Sequence, residues 1–184
     1  MSLVFSALAS LDGYTVDTSG SFDWAAPDEE VHAAVNARER GIGTYLYGRR
    51  MYETMAYWET VDIDTLSAET REYTDIWRAA DKIVYSRTLQ TPSSARTRIE
   101  PVFDPAAIRR LKDSATADLS IGGAGLASAA LAAGLVDELH LILTPIIVGG
   151  GKPALPEGVR THLELLDERR FKGGAVYLGY RLRA

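Results

Sequence analysis

The chain of 184 residues is 46% hydrophobic and 24% charged, with a net charge of -5 and no cysteine. That balance supports one domain with a sizeable core, residues 1–184, and excludes disordered and fibrous classes, disulfides, thiol nucleophiles and cysteine-ligated zinc. An acidic chain without a basic stripe has nothing to offset phosphate repulsion, which argues against a nucleic-acid partner, and no stretch is long and apolar enough to span a membrane.

The opening MSLVFSALASLDGY lacks a basic segment before its short apolar run. It reads as a first buried strand, 3–10, rather than a signal peptide, and a cytoplasmic protein is expected. Further near-continuous apolar runs stand at 44–48 (TYLYG), 82–86 (KIVYS), 118–122 (DLSIG) and 138–150 (ELHLILTPIIVGG). Runs of this kind suit strands covered on both faces, as in a largely parallel sheet. Helical patterns fall between them. PDEEVHAAVNARER opens with Pro and acids, LSAETREYTDIWRAA carries Ser67 as N-cap, and DPAAIRRLKDSA places Asp104 before Pro105. Strand and helix therefore alternate, which predicts an α/β fold of βαβ crossovers. At the end, THLELLDERRF and AVYLGYRLRA alternate by twos around KGG and read as an antiparallel hairpin.

Candidate binding residues gather where strands end. In LSIGGAGLAS, Gly122, Gly123 and Gly125 lie between a strand and a helix, where backbone N–H groups and the helix dipole face an anion. The dinucleotide fingerprint G-x-G-x-x-G is incomplete, because Ser128 occupies its last glycine position and the next strand has no terminal acid for a ribose. An NAD-type short Rossmann dehydrogenase is correspondingly disfavoured, and small residues easing a strand–helix turn remain the bland alternative. VGGGKPA is not a P-loop, since Pro153 stands where Ser or Thr must hold magnesium. It reads as a strand ending in a flexible turn. A second strand end carries Gly48, Arg49 and Arg50, and a third carries Ser86 and Arg87. Guanidiniums match phosphate oxygens, and ligands of parallel sheets bind beyond the carboxyl ends of the strands. Three such ends in an acidic protein favour a phosphate-rich ligand. Without a ribose-binding acid they point to the 2′-phosphate of NADP.

Taken in order, SLDGY, YLYGRRMYE, IVYSRTL, IGGAGLASAALAAGLVDELHLILTPIIVGGGKPAL and the closing hairpin resemble the dihydrofolate reductase-like family. The match is to the branch related to the C-terminal reductase domain of bacterial riboflavin-biosynthesis enzymes. The resemblance implies a three-layer fold with a mixed, mostly parallel eight-stranded sheet flanked by helices, and NADPH laid across the strand ends. It further implies that Gly48, Arg49 and Arg50 touch the cofactor phosphates and that Ser86 and Arg87 hold the 2′-phosphate. Gly122, Gly123, Ala124, Gly125 and Leu126 would cradle the pyrophosphate, with a cis peptide between Gly122 and Gly123. Homodimers are common among riboflavin-type relatives, so a two-fold homodimer using the closing hairpin and the TPIIVGGG region is expected here. Two departures bear on the substrate. The riboflavin enzymes fuse a zinc deaminase to this domain, whose cysteine ligands a chain without cysteine does not supply, and Ile121 stands where they commonly carry a glutamate.

The chemistry then depends on acids. Dihydrofolate reductases place a carboxylate a few residues after a tryptophan at the start of the first helix, and DWAAPDEE offers Trp24 followed by Asp28 and Glu29. Such an acid would hold a pterin-like ring beside Trp24 and help protonate it during reduction. Asp28 shares a helix stripe with Val31 and Val35, while Glu29 better matches the family spacing, and both stay open. Asp12, in a DG turn at the mouth of the first strand, is a third candidate. His32, His140 and His162 show no ligand spacing, so no metal is expected. The expected function is NADPH-dependent reduction of a small heterocycle, pterin-, folate- or flavin-precursor-like. The alternative from a different class is a nucleotide-binding module without catalysis.

Overall fold

Apolar residues with little polar interruption build the middle of the sheet, beginning with β1 (Leu3–Ser10), in which Leu3, Phe5 and Ala9 are almost wholly buried. The computed structural model describes residues 1–183. After β1 come β2 (Tyr14–Val16), α1 (Glu29–Glu39), β3 (Ile42–Gly48), α2 (Arg49–Met55), α3 (Tyr57–Thr60), α4 (Ala68–Ala79) and β4 (Asp81–Tyr85). There follow β5 (Thr97–Glu100), α5 (Pro105–Ser114), β6 (Asp118–Gly122), α6 (Ala124–Ala132), β7 (Glu138–Thr144), β8 (Lys152–Pro153), β9 (His162–Arg170) and β10 (Val176–Arg183). The main sheet has eight strands in the order β5-β4-β3-β6-β1-β7-β10-β9, and β2 pairs with β8 in a separate short ribbon. The six strands from β5 to β7 run parallel, whereas β10 is antiparallel to both β7 and β9.

Helices cover both faces. On one, Ile108 of α5 and Ala127, Ala130 and Leu131 of α6 pack on Phe5, Leu46 and Ile121. On the other, α1 supplies Val31 and Ala34 against Ile142 and Tyr177, while Tyr52 of α2 and Trp77 of α4 pack with Tyr45, Tyr47 and Val84. Three helix starts are capped as their sequences predict. Asp28 accepts from the Val31 N–H at 2.9 Å, Ser67 from Thr70 at 3.3 Å, and Asp104 from Ala106 and Ala107. One ionisable pair lies inside the α1/α4 layer. The Tyr45 hydroxyl donates to Glu39 at 2.8 Å, and burial pushes the Glu39 carboxyl above the usual carboxylate range.

Two boundaries differ from the sequence reading. The run 138–150 is a strand only to Thr144, because Pro145 has no N–H to continue the ladder and the chain turns back with Ile146 N bonded to Thr144 O. The polar segment Thr97–Glu100, with no apolar run to mark it, forms the edge strand β5. The closing hairpin is as expected, with Val176 opposite Arg170 and the turn held by Phe171 N to Ala175 O at 2.9 Å. No helix among the described residues is long and apolar enough to cross a membrane.

Candidate active site

The connection leaving β1 runs toward β3 on one side of the sheet, while the connection leaving β6 runs to β7 on the other. β1 and β6 are neighbours, so their carboxyl ends open into a crevice where the chain departs in opposite directions, the place at which parallel α/β sheets bind ligands. The sequence candidates at Gly48, Ser86 and Gly122 all fall on this edge. Gly48 lies opposite Tyr85, and Tyr47 opposite Gly122.

Glycine is required at the end of β6 for steric reasons. A Cβ on Gly122 would stand 2.6 Å from Cε1 of Tyr47, and Gly123 turns the chain into α6 with φ 90°. The expected cis bond is absent, since every peptide among the described residues is trans. The left-handed conformation of Gly123 makes the strand-to-helix turn, and a non-proline cis bond costing about 2.5–4 kcal/mol is not needed for it. Ala124 and Gly125 then begin a helix whose first N–H groups have no intrahelical partner. Leu126 is the first to bond back, to the Gly123 carbonyl at 3.1 Å. Unlike α1, α4 and α5, this helix start has no side-chain cap, and unlike α1 and α4 it has no acid in its first turn. Its positive pole is therefore open to an anion.

Beside it, Gly48 caps α2 without a side chain, and Arg49 reaches from the start of α2 to the loop after β4. Its guanidinium donates to Glu53 Oε1 at 2.7 Å and to Thr88 Oγ1 at 2.7 Å. Ser86 shapes that loop by accepting from the Thr88 and Leu89 N–H groups at 3.2 and 3.0 Å. Arg50 and Arg87 are exposed and enter no ion pair among the described residues. Past this end a cleft of about 310 Å³ opens against α5, walled by Tyr85, Glu100, Val102 and Ile108.

A second cleft, of about 130 Å³, lies on the other side of the crevice near the ends of β1 and β7. Trp24, Asp28, Val31, Ile142, Thr144 and Gly173 are among its walls. Trp24 is pinned there by its indole N–H, which donates to the Ser21 carbonyl at 3.2 Å. Asp28 therefore does two things at once, capping α1 through Oδ1 and facing the cleft. Glu29 is exposed and does not line it. Asp12 is occupied elsewhere. Its two oxygens accept from Val148 N at 3.1 Å and Gly149 N at 2.8 Å; the Ser10 hydroxyl first, and then these backbone bonds, hold its carboxyl below the usual carboxylate range. It ties the segment after β7 to the mouth of β1.

The family model of the RibD C-terminal domain matches residues 1–177. The chain belongs to this family. An uncharacterized protein of Bacillus subtilis (strain 168), YyaP, is 26% identical over 183 residues, covering 97% of this chain and 93% of that protein. A crystal structure of a putative riboflavin biosynthesis protein from Shewanella sp. PV-4 superposes with TM-score 0.79 at 19% identity, covering 100% of both chains. A pyrimidine reductase-like protein from Corynebacterium diphtheriae gives 0.72 at 17% identity, covering 100% of this chain and 92% of that one. The dihydrofolate reductase-like fold expected for the RibD C-terminal branch is the fold observed.

Two residues at this site were not singled out by sequence reasoning. Gly173 approaches Asp28 from the hairpin turn, and Lys152 arrives at the α6 start from the β2–β8 ribbon, its Nζ 3.9 Å from where a Gly125 Cβ would stand. GK in VGGGKPA is the one local signal for the second, and a strand ending in a flexible turn does not by itself foretell that the lysine reaches another strand's end.

Proposed function

We propose that this chain is an NADPH-dependent reductase acting on a small planar heterocycle related to the flavin precursors. Membership of the RibD C-terminal domain family supports a reductase. The observation that carries the reading further is the order of features along the strand ends. Ser86 and Arg87 follow β4, Gly48–Arg50 follow β3, the Gly122–Leu126 turn follows β6, and the Trp24–Asp28 cleft adjoins β1 and β7. From β4 to β1 is three strand spacings, about 14 Å, which suits an extended dinucleotide lying across the edge.

The residues fit the cofactor. A left-handed glycine turn at Gly123 and an uncapped helix start suit the pyrophosphate. The unpaired guanidiniums of Arg50 and Arg87 suit the remaining phosphate charge, with the cleft past Tyr85 taking the adenine end. When bound, NADPH supplies the hydride. The chain supplies position and a proton. Trp24 and Val31 close the cleft around a flat ring, and the Asp28 oxygen not engaged in capping accepts from ring N–H groups and shuttles the proton that accompanies reduction.

The test is a titration of intrinsic tryptophan fluorescence with NADPH and NADH, followed by NADPH oxidation with pterins, dihydrofolate and aminopyrimidine flavin precursors. Tight NADPH binding and oxidation on adding one of these supports the reading. Binding without turnover on any of them would leave a nucleotide-binding module, and failure to bind NADPH would end the proposal.

A further inference from the structure

We infer that Lys152 is a phosphate-binding residue of this site, contributing its ammonium to the cofactor pyrophosphate at the start of α6; the inference rests on the reading of the strand ends given above. The ammonium and the helix start are both positive, and they converge. Lys152 Nζ lies 3.9 Å from the position of a Gly125 Cβ, in the first turn of α6. A cation at a helix N-terminus is electrostatically unfavourable, where an acid is the usual occupant. Here the helix has no acid in its first turn, and Lys152 enters no ion pair among the described residues. An anion between them relieves the repulsion and is drawn by both.

The backbone that carries this ammonium is held toward the end of β6 at several points. Lys152 pairs with Val16 across the β2–β8 ribbon, and the Thr15 hydroxyl donates to its carbonyl at 3.2 Å. Gly151 sits at φ 134° so close to β2 that a Cβ would meet the Val16 carbonyl at 1.9 Å. Upstream, Asp12 grips the Val148 and Gly149 N–H groups. Residues from the end of β1, from β2 and from the glycine segment after β7 thus act together to carry one lysine over to the end of β6. The glycines of VGGGK serve this approach, and the phosphate they help to bind rests on a different glycine turn.

A pyrophosphate is common to NADPH and NADH, so Lys152 must serve both alike. Wild type, Lys152→Met and Lys152→Arg are titrated with each dinucleotide by tryptophan fluorescence, and with inorganic pyrophosphate as competitor. The lysine is exposed, and circular dichroism checks that the fold is kept. We expect Lys152→Met to weaken NADPH and NADH by similar factors, about ten- to a hundredfold, with weaker competition by pyrophosphate and substantial recovery in Lys152→Arg. Unchanged affinity for both dinucleotides overturns the inference, as does a loss confined to NADPH, which would assign the lysine to the 2′-phosphate. Normal dinucleotide binding with lost affinity for ribose 5-phosphate would assign it to a substrate phosphate and also overturns it. If wild type binds neither dinucleotide, the reductase reading falls, and equal pyrophosphate binding by wild type and Lys152→Met then overturns the role of the lysine by itself.

Discussion

Gly173 and Asp28 are in such close approach that a Cβ on the glycine would stand 2.5 Å from Asp28 Oδ2. The hairpin turn after β9 thereby holds the free oxygen of the α1 cap in place at the rim of the smaller cleft. The cap and the proposed proton donor are one side chain, and the two roles separate by substitution. Asparagine caps a helix as well as aspartate but cannot shuttle a proton. Asp28→Asn is therefore expected to keep the melting temperature and to lower kcat by about a hundredfold or more. Asp28→Ala loses the cap as well, about 1 kcal/mol, which for a chain of this size lowers Tm by about 2–4 °C. Equal kcat in wild type and Asp28→Asn, measured by NADPH oxidation, would remove the carboxyl from the chemistry. Gly173→Ala, which crowds the same oxygen from the facing wall of the cleft, should reduce kcat in the same direction.

Arg87 offers a test of cofactor choice. Its guanidinium is exposed at the end of β4, one residue beyond the Ser86 hydroxyl that shapes the loop. A hydrogen bond to a charged group contributes about 1.5–3 kcal/mol, so Arg87→Ala should weaken NADPH by about ten- to a hundredfold and leave NADH nearly unchanged. Fluorescence titration reads both constants. Equal losses for the two cofactors would refute a 2′-phosphate role and shift Arg87 to the shared part of the molecule.

Glu39 gives a pH dependence of known sign. Burial raises its folded-state pKa above the unfolded value of 4.5, so between the two values the folded chain holds a proton that the unfolded chain has released. Stability from this group is complete below pH 4.5 and falls as pH rises through the folded value, by at most about 1.4 kcal/mol per pH unit. Glu39→Gln keeps an acceptor for the Tyr45 hydroxyl and has no proton to lose. The variant should gain more Tm over wild type at about pH 8 than at about pH 4. Thermal melts across that range decide it, and a pH-independent difference would show that Glu39 does not titrate abnormally.

The strand ends were legible because they obey local rules. β1 and β6 announced themselves as apolar runs, and Ser67 and Asp104 as caps, since burial on both faces and helix capping leave marks within a few residues. Lys152, Gly173 and the choice between Asp28 and Glu29 were not legible, for a shared reason. Their placement depends on the approach of segments distant in the chain, Lys152 to Gly125 and Gly173 to Asp28, that no periodicity encodes. The Gly122–Gly123 turn shows the converse. Its glycines mark a strand-to-helix turn in the sequence, but the cis bond that the family likeness implies is absent, and a left-handed Gly123 makes the turn.

We propose, last, that β9 is the margin of a homodimer. It is the terminal strand of the sheet, with one side unpaired. Leu163 lies opposite Leu182 and Leu165 opposite Tyr180, so these leucines share a face with residues that pack on the α6-side core, yet no helix covers them. They are 40% and 50% exposed. The register shift beside Gly179 leaves Leu166 as an extra residue, 37% exposed, which bends the strand without shielding it. An unpaired edge flanked by exposed leucines invites an identical edge, and a two-fold axis satisfies both copies at once. Leu178 and Leu182 are half-buried in their own subunit, so charging them would damage the fold. Leu163→Glu with Leu165→Glu touches only exposed positions. Light scattering at micromolar concentration should give wild type twice the chain mass of 20.1 kDa and the double variant the single mass, with unchanged circular dichroism. A wild-type mass of 20.1 kDa would establish a monomer and leave the leucines as an open edge.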